Sequence, residues 1–198
     1  PKKGFDINLS SLASGVAVES GSAKGEELLR LAQAYLEPAD SLLDSVVNDF
    51  AVHWDDLGEL AKAEALYRWS LTLSRQLWGP TSVEVATALN NLADTLFNQG
   101  RLAEAEAKFR ESLDIRRAKL GDDDSAVAQS WANLGSPLIE LQRLAEAEAC
   151  LLKALGIHNR SGRRDPLATA LVLQNLATLK YRAGDYLSAE RYRRDAEA

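Results

Sequence analysis

The sequence predicts an all-α protein, a right-handed α-solenoid of antiparallel helix hairpins with about nine helices. Two observations predict this fold class. The heptapeptide RLAEAEA occurs at 101–107 and again at 143–149, an interval of 42 residues. Within each interval, apolar residues follow helical spacing in two separate stretches with a turn residue between them. Because a fixed period of about 20–50 residues is typical of repeat proteins, we expect each interval to be one hairpin that stacks on the next.

The segment 82–121 is the clearest single repeat. Its first apolar stripe has helical spacing and consists of Val85, Leu89, Leu92, Ala93 and Leu96. Gly100 then interrupts the pattern, as a helix-ending glycine does. The second stripe consists of Leu102, Ala105, Phe109, Leu113 and Ile115. Gly121 ends the second helix, and the aspartates that follow it are suitable N-cap residues for the next one.

A shift of 42 residues preserves the core positions of this repeat. Small residues recur in the first helix at Ala51, Ala93, Gly135 and Ala177, and in the second helix at Ala63, Ala105, Ala147 and Ala189. A bulky residue follows four positions after the second set, at Tyr67, Phe109 and Leu151, until Arg193 breaks the pattern. Two helices approach closely only where a small residue faces a large one, so these positions predict tight hairpins.

The period divides most of the chain into four tandem hairpin repeats, at 39–81, 82–123, 124–164 and 165–198. Residues 26–38 precede them and predict a degenerate leading helix, ended by Pro38. Residues 1–25 have no helical period. They form either a flexible tail or a segment that docks on a groove through Phe5, Ile7 and Leu9, which alternate as in an extended strand.

Three stretches resemble one known family: LNNLA at 89–93, QGRLAEAEA at 99–107, and LG followed by acidic residues at 120–124. They resemble a tetratricopeptide repeat protein of the 42-residue, kinesin-light-chain-like type, over residues 39–198. The resemblance implies a cytoplasmic adaptor or scaffold that binds proteins and has no catalytic activity. It departs from that family in one respect, since the usual His-Pro pair of the inter-repeat loop is absent.

Composition excludes several other classes of protein. The chain has 198 residues and a net charge of −6, which argues against general binding of nucleic acids. No apolar run approaches the length of a membrane span. The single cysteine, Cys150, excludes an internal disulfide framework and suits a reducing compartment. The chain begins at Pro1 and contains no Met, which indicates a processed or excised piece of a larger protein.

No combination of residues predicts catalysis, a metal site or a cofactor. The two histidines, His53 and His158, belong to different repeats, and Cys150 occupies a core position that predicts a packed thiol. Pro137 is expected to kink or loosen its helix. The basic loop residues Arg160, Arg163 and Arg164 have two interpretations, solvated charge at a helix end or a contact to an anion or phosphopeptide.

Function is expected on the first helix of each repeat, at positions off the core stripe. Amides recur there at Asn48, Asn90, Gln174, Asn91, Asn133 and Asn175. A ladder of amides offers donors and acceptors to the backbone of an extended peptide, although the same side chains could instead bridge neighbouring helices. Further predicted groove residues are Asp49, Asp55, Asp94, Phe97, Asn98, Ile139 and Tyr181.

The charge of these positions predicts the character of the ligand. Asp49, Asp55 and Asp94 make the first part of the groove acidic, so the partner protein or peptide is expected to carry basic residues. The acidic-peptide preference of kinesin light chains is therefore not expected here. The alternative function is self-association, or an intramolecular regulatory scaffold within a larger signalling protein. In that case a homo-oligomer forms through the groove or through docking of the tail.

Overall fold

A computed structural model describes residues 41–160 and 165–197, which contain eight helices and no strand. The helices are α1 Ser41–Asp56, α2 Leu60–Trp78, α3 Val83–Asn98, α4 Leu102–Leu120, α5 Ser125–Glu140, α6 Leu144–Arg160, α7 Pro166–Arg182 and α8 Tyr186–Glu197. The all-α fold class of consecutive helix hairpins is confirmed. The predicted tail at 1–25, the predicted leading helix at 26–38, and Arg163 and Arg164 lie outside the described residues.

The chain divides into two compact units, Pro1–Thr95 and Leu96–Ala198, with the boundary inside α3. Unit 1 contains α1, α2 and most of α3. Unit 2 contains the last turn of α3 and all of α4 to α8. In unit 1, α1 packs against α2; in unit 2, α4 packs against α5, α5 against α6, α6 against α7, and α7 against α8.

Each hairpin turn uses one residue in the left-handed region. Gly58, Gly100 and Gly184 have φ of 76°, 77° and 80°, and Gln142 has φ of 60°. Only glycine adopts this conformation without cost, so Gln142 carries mild backbone strain at its turn. An equivalent backbone hydrogen bond closes each of these turns. At the turn that contains Gln142, Arg143 N donates to the Leu138 oxygen at 2.9 Å. The turn positions predicted from the period are therefore the turns of the structure.

Small residues permit close packing of the hairpins, as the period predicted. In unit 2, a Cβ added to Gly135 would lie 2.8 Å from Leu151 Cδ2 and 2.9 Å from its Cγ. Leu151 and Phe109 are almost completely buried. In unit 1 the corresponding positions hold Ala51 and Tyr67, both buried. A side chain at Gly135 would therefore displace Leu151 from its present position between α5 and α6.

Pro137 does not interrupt its helix. The structure has α5 as one element from Ser125 to Glu140, with Pro137 buried in its last turn. The Pro137 carbonyl accepts a hydrogen bond from Leu141 N at 2.9 Å. Pro137 has no N–H to donate to the Asn133 carbonyl, yet α5 remains a single helix to Glu140.

Aspartates cap two helices of unit 2, as the sequence indicated for the first of them. The Asp124 carboxylate accepts from Ala126 N at 2.8 Å, and the Asp165 carboxylate accepts from Ala168 N at 3.0 Å. Each bond satisfies one of the free N–H groups at a helix start.

The repeated heptapeptide forms the same ion pair twice. Arg101 donates through Nε and Nη2 to Glu104 at 2.7 and 2.6 Å, and Arg143 donates in the same way to Glu146 at 2.7 and 2.6 Å. Arg143 Nη1 also reaches both oxygens of Glu106 at 2.8 and 2.7 Å, which joins α6 to α4. The spacing of Arg and Glu that the heptapeptide repeats therefore produces the same ion pair at both copies in unit 2.

Cys150 is buried, as predicted. Burial raises the pKa of its thiol, which keeps the sulfur protonated and poorly reactive. None of the helices that the structure describes is long and apolar enough to cross a membrane.

Candidate functional site

Two of the predicted amides in unit 1 bond to each other. Asn91 Nδ2 donates to Asn48 Oδ1 at 3.1 Å, which links α3 to α1. The helix-bridging interpretation is therefore correct for this bond. The Nδ2 group of Asn48 and the Oδ1 atom of Asn91 are not used in it. Asn48 also lines an open cavity of about 300 Å³ between α1, α2 and α3.

A partly buried carboxylate forms part of the wall of this cavity. Ser70 Oγ donates to Asp44 Oδ1 at 2.7 Å, and Ser74 Oγ donates to Asp44 Oδ2 at 2.8 Å. Both hydroxyls are only 2% exposed. The sequence reasoning did not single out Asp44, although one signal was available. The residues one and two repeats later at this position are alanines, Ala86 and Ala128.

The predicted acidic residues of unit 1 have defined partners. Thr95 Oγ1 donates to Asp55 Oδ1 at 3.0 Å, and Asn90 Nδ2 donates to Asp94 Oδ2 at 3.0 Å. Asn90 is buried, so its amide supports Asp94 rather than an external ligand. Asp49 is exposed at the surface of α1, yet partial desolvation raises its pKa.

Three carboxylates of unit 1 act on one buried tyrosine. Burial is the largest cause that raises the pKa of Tyr67 above its usual 10, and the charges of Asp55, Asp94 and Asp56 add to it. Tyr67 therefore reports a negative potential near the predicted acidic residues.

In unit 2, two predicted amides line one cavity. Asn133 of α5 and Asn175 of α7 stand one repeat apart and both face a cavity of about 460 Å³. Leu171 and Val172 of α7 contribute apolar wall, and the buried His158 of α6 closes one side. The remaining lining residues are Ser125, Ala126, Gln129, Ala132, Asp165 and Ala168.

The other predicted residues of unit 2 are dispersed. Ile139 is only 3% exposed, because the last turn of α5 is enclosed in the core, so it offers no surface to a ligand. Gln174 is exposed on α7. Tyr181 is exposed and stacks edge to face on Tyr186, with ring centroids 5.3 Å apart. At the end of α3, Phe97 is half-buried and Asn98 is exposed.

Comparison with protein families identifies the class of this chain. Two models described as tetratricopeptide repeat match residues 85–126 and 124–198. Together they span more than half of the chain, which belongs to the tetratricopeptide repeat family. Repeats of this kind form scaffolds for protein–protein interaction, and that general role holds for this chain. Comparison with curated protein sequences gives no match.

Comparison with solved structures identifies proteins of similar fold. BtubC (BKLC) from P. vanneervenii is 27% identical, with a TM-score of 0.81 over 96% of this chain and 77% of that one. A kinesin light chain protein of Podosopora anserina with nearly identical TPR-like repeats is 13% identical, with a TM-score of 0.74 over 96% and 85%. The apo form of RapI is 18% identical, with a TM-score of 0.73 over 86% and 61%. The chain is thus similar in fold to repeat proteins of the kinesin-light-chain type.

Proposed function

We propose that the chain is a non-catalytic module that binds an extended segment of a partner protein on the first helices of its repeats. The observation that carries the proposal is in unit 2, where Asn133 and Asn175 line the same open cavity of about 460 Å³. A side-chain amide has both a donor and an acceptor. Two amides on neighbouring first helices can therefore hold the backbone of an extended peptide whatever its side chains are.

The apolar wall of the cavity would select one side chain of that peptide. Leu171 is 54% exposed although it is a large aliphatic residue. It stands beside Val172, Ala132 and Ala168 in the lining. Burying such surface is favourable by about 25 cal/mol per Å². An aliphatic ligand side chain over Leu171 therefore complements backbone bonds to the amides.

In unit 1, a peptide with basic residues fits the surface of α1 and α3 better than an acidic one. Asp49 and Asp56 are exposed there, and Asp55 and Asp94 lie close enough to Tyr67 to raise its pKa. Charges of this kind mainly accelerate encounter and exclude like-charged partners. The preference for acidic peptides in kinesin light chains is not carried over, because it belongs to a basic groove.

A selection experiment tests the unit 2 surface. The chain is screened against a display library of random short peptides, and the enriched peptides are synthesised and titrated by calorimetry. We expect the Asn133→Ala/Asn175→Ala variant to bind them about tenfold more weakly, because two amide contacts are lost. Asn159→Ala is the matched control, since Asn159 is an exposed amide on α6 that does not line this cavity. Equal affinity of wild type and the double variant would exclude this surface.

A kinetic experiment tests the unit 1 surface with the same selected peptides. For peptides that carry Lys or Arg, the Asp55→Lys/Asp56→Lys variant should associate more slowly, and the wild-type rate should fall as salt is added. Asp114→Lys, at an exposed position of α4 in unit 2, makes half of this change in net charge away from the surface and serves as the control for position. Acidic peptides whose association accelerates in the double variant are also consistent with a negative surface. Acidic peptides that bind the wild type best would contradict it.

Self-association is the second candidate function, and one observation favours it. The end of unit 2 exposes large apolar side chains on α7 and α8, which are Leu167, Leu171, Tyr181, Tyr186 and Leu187. Exposed apolar surface of this kind often marks a protein interface. Light scattering across a range of concentrations would detect a dimer, and Leu187→Ser with Tyr186→Ser should abolish it. We place the module in the cytoplasm as part of the same proposal.

A further inference from the structure

A second cavity of unit 2 has a different chemical character. It measures about 440 Å³ and shares no lining residue with the amide-lined cavity. Three cationic side chains face it from two helices, Arg117 of α4 and Lys153 and Arg160 of α6. Trp131 of α5 and the half-exposed Leu152 of α6 supply the apolar part. One of the two interpretations of the sequence made Arg160 a contact to an anion or phosphopeptide, but the other residues of this site were not predicted.

An aromatic ring holds the central cation in position. Lys153 Nζ lies 4.1 Å from the centroid of the Trp131 ring, and the Arg117 guanidinium lies 5.8 Å from it. A cation over an indole face is attracted by the ring quadrupole and keeps its charge available on the other side. Trp131 therefore orients Lys153 and leaves its positive charge in place. A carboxylate in the same position would neutralise that charge.

Each arginine pairs with one exposed carboxylate, and one of these carboxylates, Asp122, also lines the cavity. Arg117 Nε donates to Asp122 at 2.6 Å, and Arg160 Nη2 donates to Asp123 at 2.8 Å. The four side chains are between 42% and 75% exposed, so water and salt weaken both pairs. A ligand with a higher charge can therefore replace these aspartates as the partner of the guanidinium groups.

A glycine leaves space for one of these arginines. A Cβ added to Gly156 would lie 3.3 Å from Arg160 Nη1, so the absence of a side chain lets the guanidinium lie back along α6. The combination is specific to this place in the chain. One repeat earlier, the positions of Trp131, Lys153 and Arg160 hold Leu89, Glu111 and Ala118. The repeat itself does not require the basic and aromatic residues.

We propose that this cavity binds a phosphate monoester, through Lys153, Arg117 and Arg160. A phosphate monoester carries about two negative charges at neutral pH and three acceptor oxygens, which matches three cationic donors. A carboxylate has one charge and two oxygens, and the two carboxylates already present pair with only one guanidinium each. The phosphate is carried either by a side chain of a partner protein or by a small molecule.

Calorimetric titration with defined probes tests the proposal. The probes are an unstructured peptide with one phosphoserine, the same peptide with serine, the same peptide with glutamate, inorganic phosphate and a nucleoside monophosphate. We expect at least one phosphate probe to bind and the serine peptide not to bind. Lys153→Gln should weaken the phosphate probe about tenfold, because one charge-assisted contact is lost. Affinity should also fall as salt rises.

Lys119→Gln is the matched control. Lys119 is an exposed lysine of α4 outside the cavity lining, so its loss removes the same charge and should leave the affinity within about twofold. Arg160→Gln gives a second independent test, and thermal melts confirm that each variant is folded. A phosphopeptide that binds more tightly than both free probes identifies a modified partner protein, and the reverse order identifies a small molecule. Equal binding of the glutamate peptide, or no effect of Lys153→Gln, would overturn the proposal.

Discussion

The cavity of unit 1 and the amide-lined cavity of unit 2 occupy the same place in the repeat, 84 residues apart. Ser41 corresponds to Ser125, Thr87 to Leu171, and both members of each pair line their cavity. Their volumes are about 300 and 460 Å³. Serine hydroxyls and Asp44 line the first, whereas Ala128, Ala154 and His158 occupy the corresponding positions of the second. The backbone period thus produces a cavity at each location, and side chains outside the core stripe determine its chemistry.

The two units also differ in their balance of cationic and anionic residues. Residues 41–95 contain 3 Lys and Arg against 8 Asp and Glu, and residues 96–198 contain 16 against 15. In unit 2 some of these charges form ion pairs between repeats, such as Arg182 with Glu140 at 2.7 Å and Lys180 with Glu148 at 2.7 Å, and others pair within one helix, such as Arg110 with Glu106 at 2.8 Å. The part of unit 1 that the structure describes, residues 41–95, has few cations to pair with its acids. Three of its carboxylates, Asp44, Asp55 and Asp94, accept hydrogen bonds from serine, threonine and asparagine side chains.

The largest effect is expected where the two units differ in their small core residue. Gly135→Ala should lower the free energy of unfolding by about 3 kcal/mol, since the new Cβ would overlap Leu151. The Gly135→Ala/Leu151→Ala variant should be less destabilised than the sum of its two single variants, because the clash is gone. Ala51→Gly in unit 1 is the reciprocal control. Denaturant unfolding measures the wild type and these four variants, and strict additivity would contradict a direct contact.

The polar cavity of unit 1 is the next place to test the comparison. Asp44→Ala leaves two buried hydroxyls without their acceptor and should cost about 2 kcal/mol. Replacing Ser70 and Ser74 by alanine in the same protein removes the buried donors, and this triple variant should recover most of the lost stability. If the triple variant is less stable than Asp44→Ala alone, the hydroxyls contribute through other contacts.

Alkaline pH should act on unit 1 through Tyr67. Its pKa is raised in the folded protein by burial and by Asp55, Asp94 and Asp56, so the folded state favours the neutral phenol. The stability from this shift is fully present below about pH 10, the unfolded value, and is lost as the pH rises above it. The melting temperature of the wild type should therefore fall steeply above this pH. Tyr67→Phe should have a flatter profile, and an identical profile would exclude Tyr67 as the cause.

Acidic pH should produce the smallest effect, in α8 of unit 2. Hydrogen bonds from Arg193 and Arg194 lower the pKa of Glu190 from 4.5 to about 2. A lowered carboxyl pKa stabilises the folded state above about pH 4.5, and this contribution disappears as the pH falls towards 2. Circular dichroism should record a partial loss of helix over this range that Glu190→Gln no longer undergoes. High salt should weaken the same effect, because the side chains are exposed.

The helices and turns could be predicted from the sequence more reliably than the residues of the ligand surfaces. The recurring small and bulky residues identified Gly135 and Leu151 as core positions, because close packing leaves few choices there. The structure shows that these two residues are in contact. Ile139 was predicted as a ligand contact but lies in the core. A count of 100° per residue gives the direction of a side chain about its own helix, and it does not say which neighbouring element covers the last turn.

The sequence by itself determined the all-α repeat architecture, its period, its turns and its family, because these depend on local spacing and on small residues at helix contacts. Only the tertiary structure decided which polar side chains meet. Asn91 bonds to Asn48 across 43 positions, Arg143 bonds to Glu106 across 37, and Lys153 lies over Trp131. Contacts of this range depend on the distance between repeats and on side-chain rotamers. Neither leaves a periodic signal in the sequence.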